Sequence, residues 1–266
     1  MAKPVAVITG ASSGIGAVFA QKLAAQHDLL LIARRREKLE TLARELRERS
    51  GAQVDLLMAD LADAKGLAQA AERIAAIPEL GLLVNNAGFG SRGFFWEADL
   101  GEQEQMHRLH VMATVRLSHI ALQRMVAQDV GAIINVASVA AFVRRAGNAG
   151  YAATKSWMTA FTEGLYLELQ SAGSAVQVQA LCPGYTYSEF HDRMRLDRRK
   201  VIGEAWWLAA EFVVDASLKG LRERKLFVVP GARYRALVGL ATQLPVGMRL
   251  AAERASSKRR GADQGP

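Results

Sequence analysis

The sequence predicts a single α/β domain built on a doubly wound parallel sheet. Short, nearly continuous apolar runs alternate with longer segments at helical spacing, as buried parallel strands and crossover helices require. A length of 266 residues, 50% hydrophobic and 23% charged, fits one large α/β core rather than a disordered or disulfide-rich chain. The alternation of strand and helix therefore indicates seven parallel strands with helices on both faces.

The elements follow in order along the chain. Seven runs rich in β-branched residues or leucine are predicted as strands, at residues 5–9, 29–33, 54–58, 82–85, 132–137, 176–182 and 226–229. Six segments are long enough for crossover helices, at residues 14–26, 36–49, 62–76, 102–128, 151–171 and 204–222. We expect residues 1–230 to form a dinucleotide-binding and catalytic domain and residues 231–266 a C-terminal extension with a basic tail.

The net charge of +8 comes from residues 191–200 and 231–266, so the rest of the chain is neutral. No basic face interleaved with aromatic residues is evident, and we expect no nucleic-acid partner. The basic C-terminal segment could pack on the body, cover a partner subunit or make weak contact with an anionic membrane surface. Packing or subunit contact is the favoured interpretation.

The lone cysteine, Cys182, cannot form an internal disulfide, and no CxxC pair suggests a metal site. Its presence fits a reducing, cytoplasmic setting. The first residues lack an apolar stretch followed by a small-residue cleavage site, and the late apolar segment is too short to span a bilayer. We therefore expect neither a secretory signal nor a membrane span.

A glycine-rich turn follows the first predicted strand and opens the first helix. Its candidate cofactor residues are Gly10, Ser12, Ser13, Gly14, Ile15 and Gly16. Glycine allows the backbone to turn tightly and phosphate oxygens to approach the amides, while the positive end of the helix faces a diphosphate. A plain tight turn would explain the glycines alone, but the order of strand, turn and helix favours a dinucleotide site.

The end of the second strand indicates which coenzyme is bound. A carboxylate there would bind the ribose of NAD, but the chain has Arg34, Arg35 and Arg36 instead. Guanidinium groups suit the additional 2′-phosphate of NADP(H), and Arg34 is the expected contact, with Arg35 beside it. Asp60 and Leu61, after the third strand, are further candidate cofactor residues; Asp60 either accepts the adenine amino proton or caps the next helix.

Three side chains form the candidate catalytic group. Tyr151 and Lys155 are four residues apart in a predicted helix and so lie on one face. A nearby ammonium is expected to lower the pKa of the phenol from its usual value near ~10 toward neutral pH. Ser138 follows a buried strand, where doubly wound folds place ligands, although it could also be a simple N-cap serine.

Taken together, these motifs resemble the short-chain dehydrogenase/reductase family. The resemblance rests on TGxxxGIG at residues 9–16, NNAG at residues 85–88, Ser138, Tyr151-xxx-Lys155 and Pro183-Gly184, in the family's order and spacing. It implies a Rossmann-type fold and hydride transfer between a nicotinamide and a carbonyl or alcohol. It also implies a homodimer or homotetramer formed through the helices at 102–128 and 151–171.

The resemblance also implies the roles of individual residues. Tyr151 would be the general acid in reduction and the base in oxidation, Ser138 would bind the substrate oxygen, and Lys155 would hold the nicotinamide ribose and lower the phenol pKa. Further positions would line the coenzyme: Asn86, Ala87, Gly88, Pro183, Gly184 and Thr186.

His110 departs from the family pattern, which has an asparagine at this position. In the family that asparagine helps to hold a water leading from the lysine to solvent. Imidazole can also bind water and exchange protons near neutral pH, so His110 could replace it. Alternatively, His110 is a packed helix residue and the relay is weakened.

Aromatic residues follow three of the predicted strands and point to an apolar pocket. They are Phe89, Phe94, Phe95 and Trp96, then Tyr185, Tyr187 and Phe190, then Trp206 and Trp207. If they converge, the substrate is a small hydrophobic ketone, aldehyde or alcohol; ordinary packing is the alternative. The predicted function is NADP(H)-dependent oxidoreduction, and the rival is a catalytically impaired NADP(H)-binding scaffold or redox sensor.

Overall fold

The computed structural model describes residues 3–91, 93–189 and 203–262. Two features of the sequence prediction lie outside these residues. They are Phe190, expected in the pocket, and the basic loop at 191–200.

The described residues contain one seven-stranded sheet in the order β3-β2-β1-β4-β5-β6-β7. All neighbouring strands pair in parallel. The strands are β1 Val5–Thr9, β2 Asp28–Ala33, β3 Val54–Met58, β4 Leu80–Asn85, β5 Ala132–Val136, β6 Gln177–Leu181 and β7 Phe227–Val228. The predicted doubly wound sheet is confirmed, and its order reverses between β1 and β4, where such folds bind ligands.

Helices cover both faces of the sheet. They are α1 Gly14–Leu23, α2 Arg36–Ser50, α3 Ala64–Ala75, α4 Leu100–His107, α5 Ala113–Gln128, α6 Ala149–Ser171, α7 Ala210–Arg222, α8 Ala232–Gln243 and α9 Val246–Ala262. On one face α1, α2 and α7 bury Phe19, Leu39 and Val213 against the strands. On the other, α3 and α5 pack Leu67 and Leu117 against them.

Polar groups tie the strand ends together at the centre of the sheet. The side-chain amide of Asn85 donates to Asn135 Oδ1 on the neighbouring strand at 2.9 Å and to Ser118 Oγ at 3.0 Å. Asn135 in turn donates to Thr162 Oγ1 on α6 at 2.9 Å. Buried polar groups of this kind are costly unless they are hydrogen-bonded, so this network fixes how β4, β5 and α6 meet beneath the candidate site.

The helix predicted over residues 102–128 is interrupted. Between α4 and α5, Arg108–Met112 form a π-helical turn that contains the buried residue His110. Single π-turns within α-helices often occur at functional sites. The predicted helix is therefore present over these residues, but it contains a π-turn at the position of His110 that the sequence does not indicate.

The helix predicted over residues 204–222 is also shorter than expected. A 3-10 turn spans Glu204–Trp206, and α7 begins only at Ala210. Between them, Leu208 is extended: it accepts a hydrogen bond from the amide of Tyr187 at 2.9 Å and donates to the carbonyl of Tyr185 at 2.9 Å. These bonds compete with helix formation and join the segment to the loop after β6.

The C-terminal extension forms α8 and α9. Tyr234 on α8 is buried, whereas Leu240 on the same helix is 60% exposed. The backbone amide of Ala146, in the loop before α6, donates to Glu253 on α9 at 3.3 Å. Within the described residues, no helix combines the length and the apolar character needed to cross a membrane.

Candidate active site

The turn after β1 is shaped to hold a phosphate group. Gly10 and Gly14 have positive φ angles of 65° and 56°, which side-chain-bearing residues rarely adopt. A Cβ on Gly16 would lie 2.5 Å from the Gly10 carbonyl oxygen. Within the described residues, the N-cap residue Ser13 makes no capping bond from its side chain to α1. The first amides of this helix are therefore available to an anion such as a diphosphate.

The neighbouring loop after β4 is locked to this turn. Thr9 Oγ1 accepts hydrogen bonds from the backbone amides of Asn86 and Ala87, both at 2.9 Å. The Asn86 side chain donates to the carbonyls of Thr9 at 2.9 Å and Gly10 at 3.3 Å. Asn86 therefore shapes the predicted cofactor crevice through its side-chain amide.

The three arginines after β2 have partners within the protein. Arg34, whose contact with a 2′-phosphate stays a prediction, has its Nη1 3.2 Å from Asp60 Oδ2. Arg35 instead reaches the glycine-rich turn: its Nη2 donates to Ser12 Oγ at 2.9 Å and to Ser13 Oγ at 2.8 Å. The guanidinium nearest the phosphate-binding turn is thus that of Arg35.

Asp60 does not cap the helix that follows it. The N-cap residue of α3 is Asp63, whose carboxylate accepts from the amides of Lys65 and Gly66. Asp60 accepts from the amide of Ala62 at 3.0 Å, in addition to its pair with Arg34. The alternative that Asp60 is a helix cap is therefore wrong, and the adenine interpretation stays a prediction. The side chain of Leu61 is buried in the core.

A carboxylate that the sequence analysis missed lies at the same edge. Glu189, in the loop after β6, forms ion pairs with Arg35 and with Lys38. Hydrogen bonds from Lys38 and Arg35 lower the pKa of Glu189 to about 2, so it is ionised at neutral pH. Only the fold brings this glutamate to the arginines, because 154 positions separate it from Arg35.

The predicted catalytic group converges at the other end of the crevice. Tyr151 and Lys155 lie in the first turns of α6, with Lys155 Nζ 5.8 Å from the centre of the tyrosine ring. Ser138, just after β5, is hydrogen-bonded to Tyr151. Its hydroxyl also accepts a hydrogen bond from the amide of Ala140 at 3.1 Å. Ser138 therefore stabilises the turn after β5 and is also part of the candidate site.

Burial dominates the ionisation of this group. It raises the pKa of Tyr151 to about 12, although the bond with Ser138 opposes the shift. Burial also lowers the pKa of Lys155 to about 7, and Lys155 Nζ donates to the carbonyl of Val136 at 2.7 Å. The lysine therefore carries only part of its charge at neutral pH. The pKa of the phenol therefore shifts opposite to the expected direction in this structure, because burial outweighs the bond with Ser138.

His110 is a packed residue with both ring nitrogens engaged. The amide of Phe89 donates to Nε2 at 3.2 Å, so this nitrogen is unprotonated. Nδ1 then carries the proton and donates to Thr154 Oγ1 at 2.9 Å, and the Thr154 hydroxyl donates to the carbonyl of Tyr151 at 2.9 Å. Burial, with Lys155 and His107 contributing, holds the pKa of His110 well below its usual value. These contacts favour the packed-residue alternative over a water relay.

The loop after β6 closes the site beside Ser138. The Pro183 carbonyl accepts from the amide of Val139 at 3.0 Å. The Thr186 hydroxyl is buried and donates to the carbonyl of Gly184 at 3.0 Å. A Cβ on Gly184 would meet the ring of Tyr234, 1.9 Å from Cζ. Glycine is therefore required there, because the ring lies directly against its backbone.

Tyr234 connects the C-terminal extension to this loop. Its hydroxyl accepts from the amide of Tyr185 at 2.9 Å and donates to the carbonyl of Trp206 at 2.7 Å. The sequence analysis missed this role, because neither spacing nor residue type indicates that a residue beyond β7 reaches the turn after β6. The extension thus forms part of the wall of the site.

The predicted pocket aromatics converge only in part. The rings of Tyr185 and Tyr187 lie 5.4 Å and 5.2 Å from that of Trp207. Phe94 and Trp96 instead stack on each other at 4.7 Å, and Trp96 is 76% exposed. The second and third aromatic segments therefore form one cluster. In the first segment, Phe94 and Trp96 form a separate exposed stack, whereas the ring of Phe89 lies 6.1 Å from that of His110.

Comparisons with known proteins find a matching family and solved structures with a similar fold. The family described as short chain dehydrogenase matches residues 4–199. A short-chain dehydrogenase from Sphingobium yanoikuyae, solved in complex with NADPH, is 36% identical with a TM-score of 0.82, covering 91% of this chain and 96% of that chain. A bulky-bulky ketone specific alcohol dehydrogenase from Comamonas testosteroni is 31% identical with a TM-score of 0.77, covering 92% and 96%.

A third solved structure has a different coenzyme. A short chain dehydrogenase/reductase from Burkholderia phymatum, in complex with NAD, is 28% identical with a TM-score of 0.78 and covers 90% of this chain and 92% of that chain. Similar folds thus occur with either coenzyme.

Proposed function

Because this chain belongs to the short chain dehydrogenase family, we propose that it transfers a hydride between NADP(H) and a hydrophobic ketone, aldehyde or alcohol, with Tyr151 moving the proton. The observation that carries this proposal is the convergence of Tyr151, Ser138 and Lys155 at the end of the crevice opposite the glycine-rich turn. A nicotinamide coenzyme, when bound, supplies or accepts the hydride. All other groups in the proposal are side chains of this chain.

Tyr151 is the proton carrier in this proposal. The phenol is protonated at neutral pH, the state from which it would give its proton to a carbonyl oxygen during reduction, although a pKa of about 12 makes it a weaker acid than an ordinary tyrosine. Ser138, already hydrogen-bonded to Tyr151, would bind the same oxygen and stabilise the charge that develops on it. Lys155, buried and close to the ring, would hold the coenzyme ribose and compensate the phenolate that forms.

The coenzyme is proposed from the charge at the rim of the crevice. The glycine-rich turn fits a diphosphate, and Arg35 lies on its two serine hydroxyls. Arg34 and Arg35 replace the carboxylate that would favour NAD at the end of β2. The NADPH complex of the Sphingobium relative supports NADP(H). The NAD complex of the Burkholderia relative shows why this preference must be tested on the chain itself.

The substrate class is proposed from the apolar cluster formed by Tyr185, Tyr187 and Trp207. Such a surface favours a ketone or alcohol with a sizeable apolar group over a charged sugar or acid. The name of the Comamonas relative, a bulky-bulky ketone specific alcohol dehydrogenase, supports the same class.

A homodimer or homotetramer in a cytoplasmic setting completes the proposal. Met112 and Val126 on the α5 side and Leu167 on α6 are exposed apolar residues, and such residues are typical of subunit interfaces. The single cysteine, Cys182, is buried and free, which fits a reducing compartment.

The rival interpretation, an impaired scaffold or redox sensor, has no specific support in the described residues. Its only hint was the histidine at position 110, and the structure gives that side chain a packing role that leaves Ser138, Tyr151 and Lys155 in place.

A panel of carbonyl compounds tests the proposal. Purified protein is mixed with NADPH and aliphatic, aromatic and bicyclic ketones and aldehydes, and the loss of reduced nicotinamide absorbance is followed. We expect turnover with bulky apolar ketones and little with sugars or short acids. Coenzyme binding without oxidation of NADPH by any carbonyl, or of any alcohol by NADP⁺, would contradict it.

A further inference from the structure

The carboxylate of Glu189 occupies the cationic edge of the proposed coenzyme site. One carboxylate oxygen lies 2.5 Å from Arg35 Nη1, and the other pairs with Lys38. The same guanidinium donates to Ser12 Oγ and Ser13 Oγ at 2.9 Å and 2.8 Å. The carboxylate of Glu189 therefore already pairs with Arg35, which binds the phosphate-binding turn, and with Lys38.

The backbone holds this carboxylate in place. Ser188, the preceding residue, packs on the glycine-rich turn so closely that a Cβ on Gly14 would lie 2.8 Å from Ser188 Cβ. The Glu189 and Arg35 side chains are 38% and 33% exposed, so their pair is partly shielded from solvent and stronger than a fully exposed one. Glu189 therefore reaches the edge of the proposed coenzyme site from a loop that packs against the glycine-rich turn.

Resting on the proposed nicotinamide coenzyme, we propose that Glu189 is a coenzyme-specificity residue that lowers the preference for NADP(H) over NAD(H) by competing with the 2′-phosphate for Arg35 and Lys38. A phosphate and a carboxylate bind a guanidinium in the same bidentate way. Two anions on the same cations repel each other, so binding the phosphorylated coenzyme breaks the ion pairs of Glu189.

NAD(H) does not meet this competition. Its ribose carries a hydroxyl in place of the phosphate, and a carboxylate can accept a hydrogen bond from that hydroxyl. The fold therefore supplies from Glu189 the acidic group that is missing at the end of β2. The arginines favour NADP(H) and Glu189 opposes them, so the net preference is smaller than the arginines alone would give.

The test measures how one substitution changes the affinity of the protein for each of the two coenzymes. Glu189→Gln keeps the size and polarity of the side chain but removes its charge. Dissociation constants for NADPH and NADH are measured by calorimetry without substrate. We expect the preference for NADPH over NADH to rise by about twofold to fivefold, the range set by one partly exposed charge pair, and to rise similarly in Glu189→Ala.

Glu223 provides a matched control. It also lies between two lysines, 2.6 Å from Lys225 Nζ and 3.8 Å from Lys219 Nζ, just after α7 at the far end of the sheet order. Glu223→Gln is expected to leave both coenzyme affinities unchanged. A similar shift in this variant would mean that net charge alone is responsible, and would overturn the proposal.

Other outcomes separate this inference from the function on which it rests. Equal changes for both coenzymes, or none, in Glu189→Gln would mean that Glu189 only anchors its loop, and would overturn its specificity role. If Glu189→Gln had no selective effect but Arg35→Ala lost the preference for NADPH, the proposed coenzyme site would be supported and only the role of Glu189 would be overturned. Wild-type protein that bound neither coenzyme would overturn both.

Discussion

The two ends of the crevice are held together by different forces. At the catalytic end, Lys155 is 4% exposed and Tyr151, Ser138 and His110 are tied by hydrogen bonds to backbone or to one another. At the coenzyme rim, Arg34 pairs with Asp60 and Arg35 pairs with Glu189, and these side chains are only partly exposed, between 33% and 47%. Buried hydrogen bonds define one geometry because leaving them unmade is costly, whereas exposed ion pairs exchange partners readily.

This difference predicts that substitutions at the two ends have separable effects. The catalytic end should control turnover with little effect on coenzyme affinity. The rim should control which coenzyme binds with little effect on the chemical step.

The largest expected effect comes from Tyr151→Phe. Removing the hydroxyl eliminates the proton donor, and kcat is expected to fall by about 10³-fold, within the range for general acid catalysis. The ring remains, so NADPH affinity measured by calorimetry should change less than about threefold. Turnover retained within about tenfold of wild type would assign the proton to another group.

Ser138→Ala is expected to lower kcat by about 10²-fold, the effect of losing one donor to a developing oxyanion. Steady-state kinetics on the best ketone of the panel measures it. Ser156, on α6, is a matched control because its hydroxyl donates to the carbonyl of Ala141 at 2.9 Å. Ser156→Ala should leave kcat near wild type, and an equal loss in both variants would indicate a structural effect.

His110→Ala should lower stability more than it alters the pH dependence of catalysis. It leaves the Phe89 amide and the Thr154 hydroxyl without their partner, at a cost of about 1–3 kcal/mol. Because the folded-state pKa of His110 lies well below its usual value of 6.5, the unfolded chain binds more protons, and wild-type stability falls as the pH drops below 6.5.

Denaturant unfolding at neutral and mildly acidic pH checks this linkage. The difference between wild type and His110→Ala should shrink in acid, whereas exposed His119 replaced by Ala should change nothing. A pH–rate profile that loses a limb in His110→Ala would instead support a proton relay.

At the rim, Arg35→Ala should weaken NADPH binding by about tenfold and NADH binding much less, since a bidentate guanidinium–phosphate contact is lost. Arg34→Ala should have a smaller effect because Arg34 is engaged with Asp60. Fluorescence titration with both coenzymes measures each variant. A larger effect at Arg34 would confirm the prediction from the sequence that Arg34 is the principal contact of the 2′-phosphate.

Local patterns predicted the fold and the placement of the candidate catalytic side chains. Apolar runs located the strands, and four-residue spacing put Tyr151 and Lys155 on one helical face. The N-cap of α3 is also a local feature of the sequence, because Asp63 immediately precedes Ala64 at the start of the helix. The sequence analysis considered only Asp60 as this cap.

What the sequence did not predict depends on contacts between distant segments. Glu189 reaches Arg35, and Tyr234 reaches Tyr185 across 49 positions; nothing in residue type or spacing marks either pair. The ionisation of Tyr151 and Lys155 was misjudged because their mutual attraction could be estimated from spacing, but the burial that opposes it could not. His110 was ambiguous until the π-helical turn gave it partners.

Isotope labelling gives the sharpest test of hydride transfer in the crevice between the glycine-rich turn and Tyr151. Wild-type protein is supplied with NADPH deuterated on the nicotinamide carbon, separately on each face, and with a ketone from the panel, and the product is analysed by mass spectrometry. We predict one deuterium on the carbinol carbon from one of the two labelled coenzymes, and formation of that product about 10³-fold more slowly with Tyr151→Phe. An alcohol product without deuterium from either coenzyme, or bound NADPH that is never oxidised, would contradict it.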